Sequence, residues 1–290
     1  MMSTDFIAQK VRYLQIKTRK LTEEVLSGSY HSAFKGRGMM FSEVREYTFG
    51  DDVRNIDWHV SARFNHTYVK VFEEERELTV ILLIDFSKSN DFGSISSLKR
   101  DVTVEIAGTL AFSAMLNNDK VGAIFFTDKI EKFIPPKTGS KHVLRIIRDL
   151  LTFEPTSPGT NIDFALEKFN SAIKRRSIMF LISDFLNPFY EKNLGIAQTK
   201  HDVVAIKIAD PLERDILYNY RLLAIDPETH DIHFVGSQNA SKAYLNWLEY
   251  CQNYFSTAVK KHSVDAIEIK TTEDFVKPLA MLFRKRGKRV

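Results

Sequence analysis

A single cysteine, Cys251, occurs in the 290 residues. The chain therefore forms no intrachain disulfide and no multi-cysteine zinc or iron–sulfur centre. Long apolar runs are missing as well. The longest covers residues 78–84, with Thr79 inside it, whereas a membrane-crossing helix needs roughly 20. The opening MMSTDFIAQK lacks the basic-then-apolar order of a secretory leader, so the sequence reads as cytoplasmic. There is no GxxxxGK[ST], which removes ATP hydrolysis through a phosphate-cradling loop. There is no GxSxG, and no serine stands beside an obvious histidine partner. Gly36-Lys-Gly38 is too short for a dinucleotide fingerprint. Low-complexity tracts and fixed-period repeats are also absent. Charge of one sign is scarce in the body of the chain. Five cations, Arg284, Lys285, Arg286, Lys288 and Arg289, crowd the last seven residues; subtracting those five from the net charge of +4 leaves −1. The basic excess belongs to a tail read as solvated, and no specific nucleic-acid partner is expected.

What is present is ordinary for a globular protein: 44% hydrophobic and 27% charged residues. The pattern divides the chain near residue 77. Before it, helical spacing of Ile7, Val11, Leu14, Leu21 and Val25 predicts a helix over 5–27 with Gly28 as its stop. Lys17, Arg19 and Lys20 interrupt that stripe, so the helix is expected on a surface. Short β-like pieces follow at 44–49 and 68–72. From residue 78, buried-strand runs at 80–84, 121–126, 178–182, 203–208 and 266–269 alternate with helices at 98–116, 141–151, 162–174, 240–261 and 272–285, and a hairpin is expected within 222–235. Such alternation predicts a doubly wound α/β domain with a mostly parallel sheet over 78–283. It is preceded by an N-terminal helix and a small β-rich extension (1–77) and followed by the basic tail (284–290).

The chemistry gathers where the first buried strand ends, at Asp85-Phe-Ser87-Lys-Ser89. Residues two apart in extended chain point the same way. In doubly wound sheets, ligands bind beyond the carboxyl ends of strands, at the switch point. Thr160, just before a helix, and Asp184, at the end of another buried strand, hold comparable positions. Two carboxylates and three hydroxyls make an all-oxygen set that suits Mg2+, Mn2+ or Ca2+ better than zinc. The competing reading of the same residues is a set of helix caps.

Asp85-x-Ser87-x-Ser89, then Thr160, then Asp184 resembles the metal-ion-dependent adhesion site of von Willebrand factor A domains. The upstream run resembles a bacterial branch of that fold. It comprises Gly38-Met-Met-Phe41-Ser-Glu43-Val-Arg45-Glu-Tyr47, Gly50-Asp51-Asp52-Val-Arg54-Asn-Ile56-Asp57-Trp58, Ser61-Ala62-Arg63, and Val69-Lys70-Val-Phe72-Glu73-Glu74-Glu75-Arg76. On these motifs the chain is identified as a member of the family called domain of unknown function fifty-eight. Its members are often encoded beside MoxR-type AAA+ ATPases in aerotolerance-type gene clusters. The likeness extends over roughly residues 10–285. It implies that Ser87, Ser89 and Thr160 bind a divalent metal through their hydroxyls. Asp85 and Asp184 then act largely through water or by orienting those hydroxyls. An open coordination position would take an Asp or Glu of a protein partner, one such partner being a MoxR-type ATPase. Lys88 departs from the family, which more often has a small residue there.

The leading expectation is a non-enzymatic interaction module. The alternative is a Mg-dependent phosphoesterase or nuclease using Asp85 and Asp184; Ser87 stands where a phosphatase of the haloacid-dehalogenase type needs an acid. Asp51, Asp52 and Asp57 with Arg45, Arg54 and Arg63 are expected to form a buried ion-pair network fastening residues 30–76 to the α/β domain. His230 and His233 face opposite sides of a strand and are not expected to chelate. Trp58, Trp247 and the stripe Tyr244, Leu248, Cys251 and Phe255 are expected in the core.

Overall fold

Six of the strands from residue 79 onward build one sheet, and two others form a separate hairpin. The structure is a computed structural model and describes residues 4–21, 39–74, 78–93, 97–213, 222–225, 232–235 and 238–287. After α1 (Thr4–Leu21) come β1 (Met39–Glu46), α2 (Trp58–Phe64) and β2 (Tyr68–Glu74). The α/β portion runs β3 (Thr79–Asp85), α3 (Lys99–Leu116), β4 (Lys120–Phe126), β5 (Ile130–Lys137), α4 (Ser140–Thr152), α5 (Ile162–Ala172), β6 (Ile178–Ser183), α6 (Glu191–Lys200) and β7 (Asp202–Ala209). It continues through the hairpin β8 (Leu222–Ile225) and β9 (Ile232–Val235), then α7 (Gln238–Lys261), β10 (Asp265–Lys270) and α8 (Val276–Gly287).

The sheet order is β10-β7-β6-β3-β4-β5. All neighbours are parallel except β4 and β5. The chain leaves β3 toward β4 and returns to β6 on its other side, so β3 and β6 flank the switch point of a doubly wound α/β fold. Alternation along β3 feeds two cores. Val80, Leu82 and Ile84 face α3, α4 and α8, while Ile81 and Leu83 face α5, α6 and α7. α3 is buried nearly all round, with Thr103, Thr109 and Ser113 enclosed beside its apolar residues.

Three elements, α2, β5 and α6, lie outside the sequence expectation. β5 carries Pro135 and Pro136, which cannot donate to a ladder. It is an edge strand, where that loss is tolerated. α6 buries only Leu194 and Ala197, too few to mark a periodic face. Its Gly195 lies under the His262 ring, where a Cβ would meet Cε1 at 2.5 Å.

The charged block of the extension does not form a buried network. Arg45 grips Asp51 through two bonds of 2.7 and 2.8 Å, and Arg54 pairs with Asp52 in the open. Asp57 caps α2 through His59 N and Val60 N and faces Lys70 at 3.4 Å, and Arg63 is exposed. Each of these pairs is local to the β1–β2 unit. The attachment to the sheet domain that the structure does describe is α1. Its buried Leu14 sits over Gly108 of α3, and Lys17 bonds Glu105 at 2.7 Å. Trp58 is 70% exposed and Trp247 40% exposed, so neither is a core residue. Tyr244 is also exposed, whereas Leu248, Cys251 and Phe255 are buried as expected.

α8 runs through Arg284–Arg286, so the first of the basic residues are helical rather than tail. Arg286 is buried and paired with Asp202 and Asp265. Pro278 lies in the first turn of α8, where no intrahelical bond is lost. Gly28, Val25 and His230 lie outside the described residues. Among the described residues no helix is long and apolar enough to cross a membrane.

Candidate metal centre

Residues 85–91 leave β3 and turn at once into a short 3-10 segment, Lys88–Asp91. The turn, rather than the extended chain assumed from the sequence, brings the oxygens together. Ser87 N donates to Asp85 Oδ1 at 2.9 Å, and the Ser87 and Ser89 hydroxyl oxygens lie 3.0 Å apart. The Ser89 hydroxyl reaches Asp184. The Ser87 hydroxyl also bonds the Asp85 carboxylate, so the four side chains form a continuous run of oxygens: Asp85, Ser87, Ser89, Asp184. Asn90 Nδ2 braces it from below, donating to Asp85 O and Ser87 Oγ at 3.3 Å each.

The Thr160 loop is stitched to the same place. Lys88 N donates to Pro158 O at 2.9 Å, and Asn187 Nδ2 donates to Thr160 O at 3.1 Å. Asn161, not Thr160, caps α5, accepting from Phe164 N at 2.9 Å. Ser87 makes no side-chain cap bond either. The cap reading thus accounts for neither residue. Lys88 itself is exposed.

Three contributors had no role in the sequence reading. Ser183, the last residue of β6, donates its hydroxyl to Asp85 Oδ2 at 2.7 Å. Lys99, 1% exposed, places Nζ 2.8 Å from Asp184 Oδ2 and 2.6 Å from Glu213 Oε1. Glu213 Oε2 in turn accepts from Asp210 N at 3.3 Å. A signal for Lys99 was available. Lysine at the first position of a helix opposes the macrodipole and is favoured there only when something else claims its charge. Glu213 carried no local signal.

The electrostatics are uneven. Burial, and then the neighbouring Asp184 charge, push the Asp85 carboxyl up to about 7. Burial also works against Asp184. The Lys99 charge and hydrogen bond, with Leu186 N–H and the Ser89 hydroxyl, outweigh it and hold Asp184 below the usual carboxylate range. Burial raises Glu213 despite Lys99. Burial opposes the Lys99 charge, but its two carboxylates more than compensate and keep it an ammonium.

These residues fit a hard divalent cation. The donors are all oxygen, the hydroxyl protons can rotate away, and among the described residues no ammonium or guanidinium pairs with Asp85. Fully ionised, the three carboxylates and Lys99 sum to −2, which a divalent ion cancels. Among the described residues no three His, Cys, Asp or Glu side chains form a metal cluster, so a site here leans on hydroxyls.

The family described as Protein of unknown function DUF58 matches residues 43–246. Uncharacterized protein Rv1480 of Mycobacterium tuberculosis and Uncharacterized protein Mb1516 of Mycobacterium bovis are each 32% identical over 213 residues, 72% of this chain and 67% of the relative. Among solved structures, an aerotolerance-related membrane protein from Bacteroides fragilis NCTC 9343, with multiple mutations to serines, aligns at a TM-score of 0.50 and 15% identity. The alignment covers 73% of this chain and 100% of that one, a likeness of fold. A von Willebrand factor type A structure from Catenulispora acidiphila aligns at 0.41 and 10% identity, over 87% of this chain and 51% of that one. The matched span contains every residue of the oxygen run and both partners of Lys99, and the chain belongs to the family Protein of unknown function DUF58.

Proposed function

We propose that the chain is a non-enzymatic protein-interaction module. In this reading Asp85, Ser87, Ser89, Thr160 and Asp184 hold a divalent cation, Mg2+ or, in its place, Mn2+ or Ca2+. A protein partner presents an Asp or Glu to it. The observation that carries the reading is the oxygen run itself, in which two buried carboxylates are bridged by two hydroxyls 3.0 Å apart at the switch point of the sheet. Bound there, the cation supplies a Lewis-acidic position for one carboxylate oxygen. The protein's own part is to orient the hydroxyls through Asp85 and Asp184 and to hold the Thr160 loop against the turn. The family resemblance supplies a MoxR-type AAA+ ATPase as a partner, and the pair would act in remodelling or activating a client.

The test is titration calorimetry of EDTA-stripped protein with Mg2+ and Mn2+, repeated on Ser87→Ala/Ser89→Ala. Binding by the wild type and its loss in a folded double variant support the site. A MoxR-type ATPase is then expected to be retained with Mg2+ and released by EDTA. If the double variant binds metal and that ATPase as the wild type does, the reading is wrong.

A further inference from the structure

The described ion pairs of Lys99 are spent wholly inside this site. It enters from the first turn of α3, is fully enclosed, and bonds one carboxylate of the oxygen run, Asp184 at 2.8 Å, and one outside it, Glu213 at 2.6 Å. A plain structural ion pair needs one acid. Here a buried ammonium bridges two, and a third carboxylate, Asp85, is left without a cation among the described residues.

We propose that Lys99 is a tethered cation that sets the charge of the metal site, so that the site is neutral when loaded and accepts a partner's carboxylate. This rests on the metal reading above and goes beyond it by assigning a positioning role to a residue that need not touch the metal. Counted fully ionised, as with a cation bound, removing Lys99 leaves three buried carboxylates, a net −3 that draws a divalent cation more strongly but keeps the loaded site negative, which repels an incoming acid. Removing Glu213 instead takes the site to −1 and weakens its hold on the cation. Removing both restores −2.

The experiment measures Mg2+ affinity by calorimetry and melting temperature in EDTA. The proteins are the wild type, Lys99→Met, Glu213→Gln, the double variant, and Ser87→Ala/Ser89→Ala as a control. Charges this close in a buried site predict that Glu213→Gln weakens Mg2+ binding by at least about tenfold and Lys99→Met tightens it by at least about tenfold. The double variant is expected within about threefold of the wild type, as a coupled pair requires. In EDTA, Lys99→Met should melt lower than the double variant, because the single change strands an acid that the double change removes. If Lys99→Met fails to fold, Glu213→Gln carries the test alone.

If the serine control abolishes binding while the folded Lys99 and Glu213 variants bind as the wild type does, the charge-setting role is wrong and the metal site stands. If the wild type takes up neither Mg2+ nor Mn2+, both fall together.

Discussion

The Ser183 hydroxyl donates to Asp85 Oδ2 at 2.7 Å, tying the carboxyl end of β6 to that of β3. It is an enclosed bond to a carboxylate whose other oxygen is already committed to Ser87 N. Ser183→Ala leaves that oxygen buried without this donor. The expected cost is about 1–3 kcal/mol, read from urea denaturation in EDTA. A loss below about 0.5 kcal/mol, the ordinary scatter of surface changes, would mean the bond contributes little.

Asp85 also gives the metal-free protein a pH signature. Its folded pKa is raised to about 7, above the unfolded value. The native state therefore binds the proton more tightly than the unfolded state does. The corresponding stability is fully present below about pH 4 and is lost as pH rises through about 7. Glu213, also raised, acts in the same direction. His201, whose neutral form is favoured by burial, acts in the opposite direction over part of the window. The difference between wild type and Asp85→Asn isolates the Asp85 contribution. In EDTA, the urea midpoint of the wild type relative to the variant should fall from about pH 4 to about pH 7 and flatten above that. A parallel pair of curves would show that Asp85 ionises normally.

The sheet domain was legible because its strands are buried on both faces. Residues 80–84 and 178–182 read as continuous apolar runs, and the switch point follows from their order. β5 was hidden by two prolines tolerated only at an edge, and α6 by a helix face of two buried residues. In the site, Asp85, Ser87, Ser89, Thr160 and Asp184 were legible as a motif, and the structure brings Asp85, Ser87, Ser89 and Asp184 into one bonded run. Ser183 lay in plain sight without a role, because its partner is 98 residues away. Glu213 and Lys99 meet only through the fold. The extension misled most. Acidic and basic residues in a glycine-containing block look like a network, yet nearest neighbours in sequence satisfy one another, and Trp58 faces outward.

Leu14 is the residue of α1 that is fully enclosed among those described, and it lies on Gly108, where a Cβ would come within 3.0 Å of its Cδ1. Leu14→Ala should cost about 2–5 kcal/mol in thermal or urea unfolding, as an enclosed leucine does. Gly108→Val, which pushes on Leu14 from the opposite side, should destabilise by about 1–3 kcal/mol through overpacking. If Leu14→Ala costs under about 1 kcal/mol, α1 contributes little to the fold.

Glu131 anchors the chain that leads into the Thr160 loop. From edge strand β5 its carboxylate accepts from Thr156 N at 3.1 Å, Ser157 N at 3.0 Å and the Thr156 hydroxyl at 2.7 Å, and the Thr127 hydroxyl adds a bond at 3.1 Å. Burial works against that charge, but the hydrogen bonds from Thr156, Thr127 and Ser157 outweigh it and hold the carboxyl below its usual range. Two of the donors are backbone amides immediately before Pro158, whose carbonyl meets the Lys88 amide. Glu131→Ala therefore strips the loop's anchor without touching any of the five oxygen donors. The expected result is a loss of about 1–3 kcal/mol of stability together with weaker Mg2+ uptake in the titration. Glu131→Gln retains one acceptor oxygen for the amides, so it should fall between the wild type and the alanine variant in both readouts. Thr160→Ala provides the comparison, because it removes the hydroxyl and leaves the anchor. If Glu131→Ala loses stability but binds Mg2+ as the wild type does, while Thr160→Ala weakens binding, the loop holds its position without Glu131, through bonds such as Lys88 N–Pro158 O, Asn187–Thr160 O and Asn161 N–Thr127 O.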